Sequence, residues 1–191
     1  MPQIVAALAV AAGRGLTVPV VYNSNGYDGL ESLEQLDGVV DIYLPDLKYA
    51  DDDEARRYSR VPDYVTHART AIAEMWRQVG PLRLDENGLA RRGMIVRHLV
   101  LPNGLADSED CLDWLRETCG PRVTISLMAQ YYPAYHAGRY PLLNRRVTAT
   151  EYGRVVTHAQ RLGFENLLVQ DEGLAPEFYR PDFNREHPFA S

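Results

Sequence analysis

The sequence is poor in cysteine, has no excess of basic charge and contains no long hydrophobic run, and each shortage excludes something. Two cysteines in 191 residues, Cys111 and Cys119, cannot form a disulfide framework. They fall on what reads as one helix, where eight residues at about 1.5 Å per residue separate them by roughly 12 Å, beyond the ~7 Å Cα limit of a disulfide. They also lack partners at any zinc or iron–sulfur spacing. They read as structural free thiols in a reducing, cytoplasmic compartment. A formal charge of -6 lacks the clustered Lys and Arg that non-specific nucleic-acid binding requires. The longest apolar run, Ile4 to Ala12, is roughly half the length of a spanning helix. Met1-Pro2-Gln3 supplies no positive region for a signal peptide. Nucleic acid and membrane are therefore not expected partners.

What is present is the composition of a globular domain, 46% hydrophobic and 24% charged, long enough to bury a core. The spacing predicts a core-facing helix over residues 2–14, a strand over 17–22 running into the turn Asn23-Ser24-Asn25-Gly26, and a helix over 30–36. A strand follows over Val39–Leu44, whose consecutive apolar residues suggest burial on both faces, with Pro45 stopping its hydrogen-bond ladder. The acidic run 51–54 reads as a helix start favoured by the macrodipole, with a hard-cation site as the alternative. Residues 64–79 carry a helical apolar stripe, residues 82–92 a small hairpin, and residues 94–101 a strand holding two polar residues, Arg97 and His98. A capped helix over 107–119, a strand over 123–129, a loop rich in Tyr, Pro and Arg, a helix opened by the capping box Thr148–Glu151 and a strand over 166–170 complete the pattern. The expected fold is α/β, a partial barrel of the (β/α) TIM type with parallel strands, over residues 1–170. Residues 171–191 form an aperiodic tail.

The chain is organised around Val39–Lys48. Asp46 and Lys48 lie two residues apart, so they project to one side at the end of an apolar strand, where α/β enzymes place their chemistry. The plainer reading is a local ion pair capping the strand. Arg97 reads either as a clamp for a carboxylate or phosphate or as an internal partner of Asp46. His98 points to the opposite face as a hydrogen-bonded core residue. Gln130, Tyr131 and Tyr132, at the end of the 123–129 strand, either line a ligand or cover the barrel mouth.

Four segments carry a resemblance: V-Y-N-S-N-G-Y at 21–27, D-I-Y-L-P-D-L-K-Y at 41–49, R-R-G-M-I-V-R-H-L-V-L-P-N-G at 91–104 and L-M-A-Q-Y-Y-P at 127–133. In this order and spacing the chain resembles, over about residues 2 to 170, the later strands of radical SAM proteins, in particular uncharacterised members akin to the pyruvate formate-lyase activating enzyme. The resemblance implies an iron–sulfur oxidoreductase that cleaves S-adenosylmethionine reductively to a deoxyadenosyl radical. It places Asn23, with Ser24 beside it, near the methionine carboxylate. Asp46 and Lys48 match the D-x-K pair that contacts the cofactor and a monovalent cation, and Arg97 matches a residue near the cofactor's charged end. Gln130, or Tyr131 with a slip of one, falls where the activating enzyme has a histidine.

The C-x3-C-x2-C loop that holds the family's 4Fe-4S cluster is absent, as is the glycine-rich segment that grips the methionine amine. The resemblance therefore implies a carboxyl-terminal portion lacking the first strands, with no catalytic residue, no cluster ligand and no activity alone. The implied partners are a flavodoxin or ferredoxin as electron donor and a glycyl-radical protein or small molecule as substrate. Two other readings stay open: a Schiff-base aldolase or lyase using Lys48 as nucleophile, and a non-catalytic remnant. An uncovered sheet edge is expected to promote association.

Overall fold

The computed structural model describes residues 2–170; the tail expected at 171–191 lies outside the described residues. In chain order the elements are α1 (Pro2–Gly13), β1 (Val21–Ser24), α2 (Leu30–Glu34), β2 (Ile42–Pro45), α3 (Asp52–Glu54), α4 (Tyr64–Val79), β3 (Arg83–Leu84), β4 (Ala90–Leu99), α5 (Ser108–Cys119), β5 (Thr124–Met128), α6 (Ala149–Arg161) and β6 (Asn166–Val169). Five strands form a parallel sheet in the order β1-β2-β4-β5-β6, and the short β3 pairs antiparallel with the start of β4. The sheet does not close, so the architecture is an open partial β/α barrel.

Alternation along the strands separates two faces. Tyr43 and Leu47, Met94 and Val96, and Ile125 and Leu127 are buried, and they join Ile72 and Met75 of α4 and Leu112 and Leu115 of α5 in one core. The intervening Leu44, Asp46 and Lys48, Ile95 and Arg97, and Ser126 and Met128 are only half-buried. For the apolar run of β2, burial on both faces holds at its start, where Ile42 and Tyr43 are both buried, and gives way toward its carboxyl end, where helices cover one side and the other is only half-buried among the described residues. Pairs of apolar residues in sequence produce such a run even when only alternate ones reach the core.

Two further expectations change. The strand foreseen at 17–22 is β1 at Val21–Ser24, because Asn23 and Ser24 pair in register with Leu44 and Pro45 and so are strand rather than turn. Pro45 does not stop the ladder. It leaves a gap in the β2–β4 pairing, but the Asp46 N–H reaches the Ser24 carbonyl at 3.0 Å, the Leu47 N–H reaches the Arg97 carbonyl at 2.9 Å, and Asp46 bridges to Arg97. Proline cost one donor, and the strand's neighbours on both sides held the rest.

The ends of the helices behave unevenly. Thr148 and Glu151 form the expected capping box, and Glu151 also receives a bidentate Arg145 and the Asn103 N–H, which together hold its carboxyl far below the usual range. Asp107 does not cap α5, since at φ 46° its side chain makes no capping bond. Burial, with Asp110 and Asp51 nearby, raises its pKa instead. Asp51 does cap α3, accepting from the Asp53 and Glu54 N–H groups. The first helix is not core-facing: Ile4 and Val10 are 50% and 55% exposed, and Val5 provides its packing against the core. Among the described residues no helix is long and apolar enough to cross a membrane.

Candidate functional site

Parallel strands bring their carboxyl ends to one rim, so side chains from β1, β2 and β4 that lie far apart in sequence meet on the open face. Asn23 sits opposite Leu44, and Asp46 opposite Arg97. Alternation then puts Asn23, Asp46, Lys48 and Arg97 on the same side. The Lys48 ammonium donates to Asp46 Oδ2 at 2.6 Å, Arg97 Nη2 lies 2.7 Å from Asp46 Oδ1, and the same nitrogen donates to Asn23 Oδ1 at 2.8 Å. The result is a continuous line, Asn23–Arg97–Asp46–Lys48, across three strand ends. Two cations and one carboxylate leave it one positive charge in excess, an arrangement suited to an anionic group such as a carboxylate.

The line is not fully satisfied. Arg97 Nε is buried with no hydrogen-bond partner, and Asp46 Oδ1 touches Arg97 closely but without hydrogen-bond alignment. Asp46 is 15% exposed, Arg97 31% and Lys48 40%, so the ammonium is the most accessible member.

The backbone beneath the pair is held by residues from elsewhere. The Tyr64 hydroxyl accepts the Lys48 N–H at 2.9 Å and lies 3.2 Å from the Asp46 carbonyl and 3.3 Å from that of Asn25. Burial raises the Tyr64 phenol above its ordinary pKa, which keeps its proton available for donation to those carbonyls. Gly26, at φ +81°, lies against the Asp46 carbonyl oxygen so closely that a Cβ would collide with it. On the other side, His98 Nδ1 lies 2.7 Å from the Leu47 carbonyl.

The remaining predicted residues fall elsewhere. The Ser24 hydroxyl accepts the Gly26 N–H at 3.1 Å, serving the turn rather than the charged line. Gln130 accepts from Gln170 at 2.9 Å, while Arg97 pairs in register with Ser126, four residues earlier on the strand. Gln130 therefore belongs to the β5–β6 end of the rim, and the structure does not bring it into contact with Arg97. The Tyr131 hydroxyl donates to Leu143, and Arg146 stacks over the Tyr132 ring. Sequence reasoning missed Tyr64 and Gly26 as parts of the site, since one reads as a helix start and the other as a turn residue. A plainer signal was available for Lys48: it is the sole lysine among 20 basic residues, so its presence is not the background choice of cation.

Comparison with known proteins adds two relationships. No family model matches the chain. It is 31% identical over 171 residues to an uncharacterised protein of Methanocaldococcus jannaschii, an alignment taking in 89% of this chain and 46% of that protein. The chain thus spans just under half the length of the curated relative it matches. Among solved structures, it is similar to a domain of pyruvate-formate lyase-activating enzyme from Bacteroides vulgatus, with a TM-score of 0.61 and 13% identity, covering 89% of this chain and 91% of that one. The likeness is one of fold.

The residues present do not fit an iron–sulfur cluster. Cys111 and Cys119 are buried along α5, and burial pushes both thiols up, Cys119 to about 12, whereas cluster ligation needs thiolates. Among the described residues no group of three or more His, Cys, Asp or Glu is placed to hold a metal ion. A monovalent cation beside Asp46 would have to displace Arg97 or Lys48 from one of its oxygens.

Proposed function

We propose that this chain supplies the cofactor-binding portion of a radical SAM enzyme. The observation that carries the reading is the Asn23–Arg97–Asp46–Lys48 line, set on the open face at the carboxyl rim of a parallel sheet whose fold matches an activating-enzyme domain. Arg97 and Asn23 would orient the methionine carboxylate of S-adenosylmethionine, while Asp46 would hold Lys48 and balance charge beside the amine. When bound with a 4Fe-4S cluster, S-adenosylmethionine supplies a deoxyadenosyl radical for hydrogen abstraction. The sequence has two cysteines, both buried on α5, so the reading requires a segment or partner that carries three thiolates. It assigns this chain no step of electron transfer. Its remaining partners would be an electron donor such as a flavodoxin or ferredoxin and a glycyl-radical protein or small-molecule substrate.

The test is calorimetric titration of the chain with S-adenosylmethionine, alone and together with a polypeptide carrying the cysteine loop. Binding that Arg97→Ala and Asp46→Ala each abolish supports the reading. Absence of binding in both settings refutes it and favours a remnant without a ligand role.

A Schiff-base lyase is disfavoured by the 2.6 Å contact that ties the Lys48 nitrogen to Asp46, since an amine engaged in that contact must leave it before it can attack a carbonyl. Because Lys48 is the only lysine, borohydride reduction with a panel of carbonyl compounds, followed by peptide mapping to separate it from the terminal amine, reads this reaction. No adduct on Lys48 is expected.

A further inference from the structure

We infer that His98 is a positioning residue for the Asp46–Lys48 pair: its ring ties the Leu47 carbonyl, between the two, to Ser108 at the start of α5. For its consequence on ligand binding the inference rests on the cofactor reading; for the position of Lys48 it does not. His98 is fully buried on the helix-covered face of β4, opposite to Arg97. Nδ1 lies 2.7 Å from the Leu47 carbonyl and Nε2 lies 2.8 Å from Ser108 Oγ. A carbonyl only accepts, so Nδ1 carries the proton and Nε2 accepts from the Ser108 hydroxyl, which sets one neutral tautomer.

Leu47 is thereby gripped at both of its backbone groups by consecutive residues of β4. Its N–H goes to the Arg97 carbonyl and its C=O to the His98 ring. This grip matters because β2 ends at Pro45, and past it the pairing with β4 is reduced to the single Asp46–Arg97 bridge. The Ala50 N–H reaches the Ala106 carbonyl at 3.3 Å, a second tie between the same two segments. Asp46 and Lys48 leave this anchored residue toward the open face, while Leu47 itself is buried on the other. A change in the Leu47 carbonyl's position therefore tilts both charged side chains together, and α5 is coupled to the rim through Ser108.

The experiment uses the sole lysine as its reporter. Labelling the chain with 15N-lysine gives one backbone amide and one ammonium signal, both from Lys48. His98→Asn keeps a nitrogen where Nδ1 stands and so a donor for Leu47; His98→Gln reaches the place of Nε2 and keeps Ser108 but abandons Leu47. The Gln variant is expected to shift both Lys48 signals and to speed exchange of its amide about tenfold, with the Asn variant within about twofold of the unmodified chain. Affinity for S-adenosylmethionine should follow the same split. Ser108→Ala, which leaves the Leu47 bond intact, should leave the Lys48 signals in place and guards against a His98 variant that fails to fold. Equal movement of Lys48 in the Asn and Gln variants, no movement in either, or displacement by Ser108→Ala overturns the inference. If the unmodified chain binds no S-adenosylmethionine, the cofactor reading fails while the lysine signals still decide the role of His98.

Discussion

Arg97 and Asp46 face each other 2.7 Å apart at the position where β2–β4 pairing resumes after the gap left by Pro45. The pair joins two strand ends by charge where the backbone ladder is weakest, and it leaves the second carboxylate oxygen to Lys48. Pairing of the strand ends and the hold on Lys48 are thus combined in one carboxylate.

A double-mutant cycle separates the two roles. Arg97→Met and Asp46→Asn, measured by urea unfolding, should show a coupling of about 1 kcal/mol, the upper part of the range for partly exposed pairs. Asp46→Asn alone should be the more harmful change, because it leaves a guanidinium and an ammonium facing each other without a counter-charge. Coupling indistinguishable from zero would mean that solvent screens the contact.

Glycine at position 26 is required by space as well as by backbone angle. At φ +81° and against the Asp46 carbonyl oxygen, Gly26→Ala must both strain the turn and push β2's end outward. It should cost more than about 2 kcal/mol, and, on the proposed function, it should weaken S-adenosylmethionine binding. Gly15 is the control. It also has a positive φ, +93°, but open space around it, so Gly15→Ala should cost about 1 kcal/mol from conformation alone.

Stability should fall on the acid side through His98. Burial lowers its pKa from 6.5 to about 4, with the Leu47 carbonyl opposing that shift and Lys48 adding to it. The folded protein keeps the ring neutral while the unfolded chain protonates it. The stabilisation is therefore complete above pH 6.5 and is lost as pH falls through about 4, with a slope of about 1.4 kcal/mol per pH unit for this one proton. Unfolding free energies measured across that window should show the slope in the unmodified chain and lose it in His98→Gln.

The alkaline limb has the opposite sign. Burial raises Cys119 from 9.0 and Tyr22 from 10.0, each to about 12. The unfolded chain gives up these protons first, so the stability they confer is whole below those ordinary values and declines as pH rises toward about 12. Thiol titration with a chromogenic disulfide should be slow in the native protein and become rapid only on unfolding.

The free edge at β1 should make the chain associate. Among the described residues β1 pairs only with β2, and it carries Val21 at 51% exposure, near Val18 at 64%. An unpaired parallel edge with exposed β-branched residues offers hydrogen bonds to another strand. Light scattering should show a mass above 21.6 kDa that rises with concentration; a monomer at every concentration would contradict this.

Some of this was legible in the residue order. Tyr64 to Val79 reads as a helix because its apolar residues recur at helical spacing, and Thr148 with Glu151 marks the start of α6 through a bond pattern contained in four residues. The same reasoning misplaced β1, since Asn23 and Ser24 have turn-forming side chains and only the register with β2 makes them strand. It also gave α1 to the core on the strength of its apolar content, whereas burial depends on whether a partner surface lies against it. Gln130 follows the end of β5 at the same rim, and its distance along the chain from Ser126, the register partner of Arg97, sets it apart from the charged line.

By itself the sequence determined what period and spacing decide within one element: that Asp46 and Lys48 share a face, that His98 and Arg97 do not, and that strands alternate with helices. It did not determine that Arg97 belongs to Asp46, that Asn23 joins them, or that Tyr64 and His98 hold the backbone between the charges. Those relationships depend on the strand order β1-β2-β4-β5-β6 and on the packing of α4 and α5 against it. Side-chain period acts over a few residues, while the adjacency of strand ends is set by the burial of the whole core, so only the folded chain chooses which charges meet.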